Sequence, residues 1–159
     1  MGELLLTALL WVTALGCGVI GGVYFAFSAF VMAALRTLPA AAGIAAMRAV
    51  NKVILRSPFM PLFFGSSATA LLLGVMAISG AGSWLAVLGA AVHLVGMTGV
   101  TVAFNVPLNT QIERAGENTP EAEAVWQHYL MAWTRWNHLR TISSVLAAAL
   151  FALAMIHRG

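Results

Sequence analysis

Long apolar runs separated by short polar connections set the pattern of this chain. From about Leu4 to Phe30 no charged side chain interrupts the run. Similar runs cover about Phe59 to Ser79 and about Trp84 to Phe104, the latter broken only by His93, and a fourth covers about Thr141 to Ile156. A helix of ~20 mostly apolar residues crosses a bilayer, so four spans are predicted. The fourth is short, but Thr119-Pro120-Glu121 upstream supplies a cap, a proline for the first helical position and an acid against the helix dipole. No breaker follows, so the last helix is expected to run from 121 to 157, with 121–140 projecting beyond the bilayer. Between the first two spans, Arg48, Lys52 and Arg56 share one helical face, while Met47, Val50, Ile54 and Leu55 line much of the rest. That pattern predicts an amphipathic helix over about 40–56, lying in the membrane interface. Ser79-Gly80-Ala81-Gly82 reads as a tight turn, which makes the second and third spans antiparallel neighbours. The expected fold is all-α: one membrane domain, 1–159, built as a four-helix bundle with an interfacial helix and a long fourth helix.

Composition agrees with this pattern. The chain has 159 residues, 61% hydrophobic and 8% charged. A soluble chain carries about 25% charged residues, so this one has too few to cover a water-facing surface. The net charge of +3 comes from basic residues scattered at the ends of apolar runs, which suits lipid headgroups rather than nucleic acid. Cys17 stands alone, excluding an internal disulfide and an intrachain thiolate cluster; it reads as a small packing residue. The N-terminus lacks the basic region of a signal peptide, and its apolar run exceeds the usual ~7–15 residues, so a retained span is expected. Arg36, Arg48, Lys52, Arg56, Arg114, Arg135 and Arg140 fall on one side of a four-span arrangement and Arg158 on the other. The positive-inside rule then puts the first and third loops in the cytoplasm and the termini outside.

Polar side chains at membrane depth mark candidate chemistry. At 100° per residue, Trp126, Tyr129, Trp133, Asn137, Arg140 and Ser144 share one sector of the last helix, and Thr134, His138 and Thr141 adjoin it. The third span closes with Asn105 and Asn109 around Pro107, a residue that removes a backbone donor. If this end meets the start of the fourth span, Asn105, Asn109, Asn137, His138 and Arg140 form a set of oxyanion donors around a proton acceptor. His93, alone in the third span, reads either as a neutral side chain bonded to a neighbour or as an axial haem or metal ligand. No carboxylate lies inside any span, which argues against a carboxylate metal site. Gly18 and Gly22 form a GxxxG pair suited to close helix packing, and the small-residue face from Gly16 to Gly22 offers a surface for a homo-oligomer.

The motifs "FNVPLN" and "WNHLRT", with "FAFSAFVMAALRTLP" after the first span and "GIAAMRAVN" before the second, resemble the anthrone oxygenase family of small four-span membrane proteins. The likeness follows the whole chain in order, departing at Ala33, where a proline is expected. It implies oxidation of an anthrone to an anthraquinone by O2 without metal or flavin, in a bacterial inner membrane. The family's polar motif positions fall on Asn105, Asn109, Trp136, Asn137, His138, Arg140 and Thr141. On this chain His138 is then expected as the base, with Arg140 and Asn137 as oxyanion donors. Asn105 and Asn109 would hold hydroxyl or peroxide oxygens, and Trp133, Trp136 and Phe104 would stack on a small flat substrate arriving from the lipid. Two other readings compete: a haem- or quinone-linked redox protein using His93 or His138, and a non-enzymatic binding or accessory subunit.

Overall fold

In a computed structural model the described residues are 2–116 and 119–157. Four of their helices are long and apolar enough to cross a membrane: α1 (Gly2–Arg36), α3 (Phe59–Ile78), α4 (Trp84–Arg114) and α5 (Pro120–Ile156). A fifth, α2 (Ala40–Ile54), follows α1. The chain is a multi-pass membrane protein, and its outward surface fits lipid contact: Leu4, Trp11, Leu15, Val19, Phe64, Leu72, Val95 and Ile142 are all exposed. Arg158, counted above on the terminal side, lies outside the described residues.

Local signals explain the helix ends. Thr119 caps α5, accepting a hydrogen bond from the Ala122 N–H at 3.1 Å, with Pro120 in the first turn. At the α3–α4 turn Gly80 takes φ 87°, a conformation open to glycine. The N–H of Ala81 closes back on the Met76 carbonyl at 2.9 Å. Ser83 then accepts from the Leu85 N–H to start α4. Pro107 does not end α4, which continues to Arg114. The turn before it, Thr101–Asn105, is wound as a π-helix, with the Val106 N–H bonded to the Thr101 carbonyl. Widening of this kind accommodates irregular backbone inside a helix and recurs at functional sites. A second π-turn covers Phe27–Val31 in α1, and a longer π stretch covers Val92–Gly99 in α4.

The core has two contrasting main clusters and a small third one of Ile20, Tyr24, Phe63 and Met97. Towards the α3–α4 turn, small residues pack tightly: Ala14, Cys17, Ala70, Leu73, Ala86, Ala90, Ala147 and Phe151. Gly74 lets α3 approach α4 so closely that an added Cβ would lie 2.8 Å from that of Ala90. Towards the other end the core is aromatic, built from Met32, Ile44, Met47, Leu108, Ile112, Trp126, Tyr129 and Trp133.

The amphipathic helix is present and is held by the bundle as well as by its interfacial pattern. Gly43, Ile44 and Met47 of α2 are buried, with Gly43 against the Trp126 ring. Arg48 is not a free headgroup cation: its Nε donates to the Ile112 carbonyl at 2.8 Å and its Nη2 to that of Ala115. It thereby satisfies carbonyls that the end of α4 leaves open. Lys52 and Arg56 remain exposed. Gly18 and Gly22 face outward with no atom near the position of an added Cβ; Gly16 and Gly21 make the internal contacts, with Ser66 and with Ser144 and Val145. The GxxxG spacing therefore does not pack this chain's own helices, because its two glycines lie on the exposed side of α1.

Candidate functional site

A cavity of about 240 Å³ opens in the aromatic half, between the second part of α1, α2, the start of α3, the second part of α4 and α5. Tyr24, Phe27, Phe59, Phe63 and Trp133 supply aromatic wall, and Asn51, Thr101, Asn109 and Arg140 supply its polar groups. A cavity of ~150 Å³ holds a benzene ring, so this one has room for a larger flat aromatic. Leu55, Phe64, Val102 and Val106 line it and are also exposed, so its rim is apolar and reaches the lipid-facing surface.

Arg140 is the cavity's charged group, only 5% exposed. Its Nη2 donates to Asn137 Oδ1 at 2.7 Å, and its Nη1 lies 3.4 Å from Thr101 Oγ1. The guanidinium carbon sits 4.1 Å from the centre of the Tyr24 ring and 5.0 Å from that of Trp133, within cation–π range. Its Nε has no hydrogen-bond partner. The described carboxylates, Glu3, Glu113, Glu121 and Glu123, are all exposed, so none is buried beside it.

The motif asparagines divide into a donor and two pins. Asn109 Oδ1 accepts from both Tyr129 Oη and Trp133 Nε1, each at 2.9 Å. This fixes the amide orientation and leaves Nδ2 as the group available to the cavity. Asn137 lies behind the cavity wall with its amide fully used: Nδ2 donates to the Tyr24 carbonyl at 2.7 Å and to Ser28 Oγ at 2.8 Å, while Oδ1 receives Arg140. It ties α5 to the π-turn of α1 and holds the guanidinium in place. Asn105 is buried at the π-turn before Pro107 and donates to the Trp133 carbonyl at 3.2 Å, pinning α4 to α5. Thr141 donates to the Asn137 carbonyl at 2.9 Å and meets Ser28 Oγ at 3.1 Å.

The expected site is thus only partly assembled. Arg140, Asn109 and Trp133 line one cavity; Asn137, Asn105 and Thr141 support it from behind. Phe104 and Trp136 stack on each other, 3.7 Å apart and 8° from parallel, instead of facing a ligand. His138 is exposed. It is two residues from Arg140, which on an α-helix turns it ~160° away, so it does not face the cavity and the expected convergence on it fails. Sequence reading left out Tyr24, Asn51 and Thr101. A phenol alone in an apolar run was the available signal for Tyr24.

His93 occupies the other half. It is 0% exposed, with Nδ1 3.3 Å from Cys17 Sγ and Nε2 3.3 Å from Ser66 Oγ. Both ring nitrogens are engaged, and His138 faces outward, so these residues do not fit an axial haem site. Cys17 likewise does more than fill space, since it is half of this contact. No group of three or more His, Cys, Asp or Glu converges among the described residues.

With this geometry in hand, comparison with known families is decisive over most of the chain. The family model described as Anthrone oxygenase matches residues 54–150. The chain belongs to the anthrone oxygenase family. The matched region contains α3, α4 and most of α5, and with them Thr101, Asn109, Trp133, Asn137 and Arg140. Asn51 and the α1 residues of the cavity precede it. No curated protein and no solved structure matches the chain.

Proposed function

We propose that this anthrone oxygenase family member is a membrane-embedded oxygenase that converts a flat anthrone-type phenol to its quinone with O2, using no metal or flavin. One observation carries this reading: a buried guanidinium with amide donors lines an aromatic cavity whose rim meets the lipid. In the reaction, the carbon–hydrogen bond opposite the ketone breaks, and the proton leaves as the charge spreads onto the ketone oxygen. The anion transfers one electron to O2, and the resulting radicals join through a carbon–oxygen bond. Protonation gives a hydroperoxide, which loses water to form the second ketone. One anthrone and one O2 thus give one quinone and one water.

The chain's part in this scheme is binding and electrostatics. Phe27, Phe59, Phe63 and Trp133 would hold the rings in a site shielded from water. Arg140 and the amides of Asn109 and Asn51 would stabilise the oxyanion as it develops, and fixed donors act strongly where water is excluded. An apolar substrate would partition into the bilayer and reach the cavity past Leu55, Phe64, Val102 and Val106. The positive-inside rule favours a cytoplasmic location for the basic ends of α1, α2 and α4.

The test is oxygen uptake by detergent-purified protein given anthrone, with the quinone followed by absorbance. Uptake above the protein-free rate, matched mole for mole by quinone, is expected. The protein-free rate would refute the oxygenase and leave a binding or accessory role.

A further inference from the structure

We propose that the cavity takes its ligand as an anion, the phenolate or enolate of a flat polycyclic phenol, with Arg140 as counter-ion. This inference rests on the aromatic-ligand reading above and adds the ionisation state in which the ligand binds.

Arg140 is a buried charge with no charged partner among the described residues. Arginine stays protonated in proteins, and an ionised group in an apolar interior is costly unless paired. Every neighbour of Arg140 is neutral. Tyr24 from α1 and Trp133 from α5 present ring faces. Thr101 from α4 and Asn137 from α5 offer oxygens. The rest of the cavity wall is uncharged too: α3 supplies Phe59, Phe63 and Phe64, and α2 supplies Met47, Asn51 and Ile54. The other titratable group nearby is Tyr129, whose hydroxyl donates to Asn109; the cations of α2, Lys52 and Arg56, are exposed. Cation–π contacts offset part of the desolvation but contribute no charge.

The remaining polar groups have the same bias. Arg140 Nε is a buried donor without an acceptor. Asn109 also has its nitrogen left over, because both hydrogen bonds from Tyr129 and Trp133 go to its oxygen. Thr101 donates its own hydrogen to the Met97 carbonyl at 2.8 Å. The cavity wall therefore carries a positive charge and the Asn109 Nδ2 N–H, a complement to an oxyanion.

The consequence is mechanistic. With the His138 imidazole outside the cavity, no side chain there is assigned to accept the proton, and the guanidinium acts by stabilising the anion that its loss leaves. It makes the bound substrate more acidic, and the proton is lost to water at the interface. An opposite charge within ~4–6 Å moves an ionisation midpoint by about 1–3 pH units.

The probe is 1,8-dihydroxyanthraquinone, already a quinone and so not a substrate for oxidation, whose visible absorbance moves to the red when a phenol ionises. It is titrated over pH with detergent-purified protein and with detergent alone. The bound dye is expected to ionise roughly 1–3 pH units lower than the free dye. Arg140→Lys should retain most of that shift and Arg140→Gln should abolish it. The proposal is overturned if the dye fails to bind the parent protein, if it binds with an unchanged or raised midpoint, or if Arg140→Gln keeps the shift. If Arg140→Gln does not fold, the parent against free dye decides. Anthrone oxidation measured in parallel separates the two readings. Turnover with the dye bound neutral removes the anion site and keeps the oxygenase; an anionic dye without turnover does the reverse.

Discussion

His93 and Arg140 are both buried polar side chains in helices made for lipid, and the fold treats them in opposite ways. His93 sits in the half of tightly packed alanines, with each ring nitrogen 3.3 Å from a partner, Cys17 or Ser66. Ser67 and Thr98 add a hydroxyl pair at 2.9 Å between α3 and α4. Arg140 sits in the aromatic half, where the helices leave a cavity and one guanidinium nitrogen has no partner. Satisfied polar groups between helices hold a bundle together. A buried charge at a cavity wall, with one of its donors unsatisfied, is instead explained by what enters the cavity. Burial alone would rank the two residues together; hydrogen-bond completion separates them.

That contrast is broken or sharpened most strongly by Arg140→Gln. Removing the charge that meets the developing oxyanion should lower kcat/KM for anthrone by ~10²–10³-fold, read by oxygen uptake. The thermal midpoint in detergent should also fall, because the hydrogen bond to Asn137 and the contacts with Tyr24 and Trp133 are lost, so activity is compared per folded protein. Asn137→Ala comes next, since it releases the guanidinium together with the Tyr24 carbonyl and Ser28. Loss of positioning should lower turnover by ~10–10²-fold, and it should also reduce the thermal midpoint measurably. His93→Leu should have a different signature: a loss of roughly 1–3 kcal/mol from its two interhelical hydrogen bonds, seen in the thermal midpoint, with normal turnover by the folded fraction. His138→Ala should do least. An exposed substitution stays within about 0.5 kcal/mol, and oxygen uptake should match the parent.

Much of the fold was legible in the sequence for simple reasons. Uninterrupted apolar runs mark spans, Thr119-Pro120-Glu121 marks the start of α5, and Gly80 marks the turn that makes α3 and α4 neighbours. Pro107 was less legible. Its missing donor is absorbed by a π-turn, and nothing in "FNVPLN" distinguishes that outcome from a helix end. The site was legible by residue type more than by role. The helical period puts His138 at the far edge of the sector adjoining Trp133 and Arg140, ~160° from Arg140 itself, so the spacing between these two residues already separates the imidazole from the guanidinium. The division of labour among the asparagines could not be foreseen. Whether an amide faces a cavity or pins a neighbouring backbone depends on which carbonyl the facing helix brings within reach, as with Tyr24 for Asn137 and Trp133 for Asn105.

The most direct test of the central claim is anthrone-dependent oxygen uptake by Arg140→Gln beside the parent protein, both purified as folded, monodisperse samples. The account predicts parent turnover with one quinone per O2 and a loss of at least ~10²-fold in the variant. Turnover by Arg140→Gln at the parent rate would contradict it and move the chemistry away from this cavity.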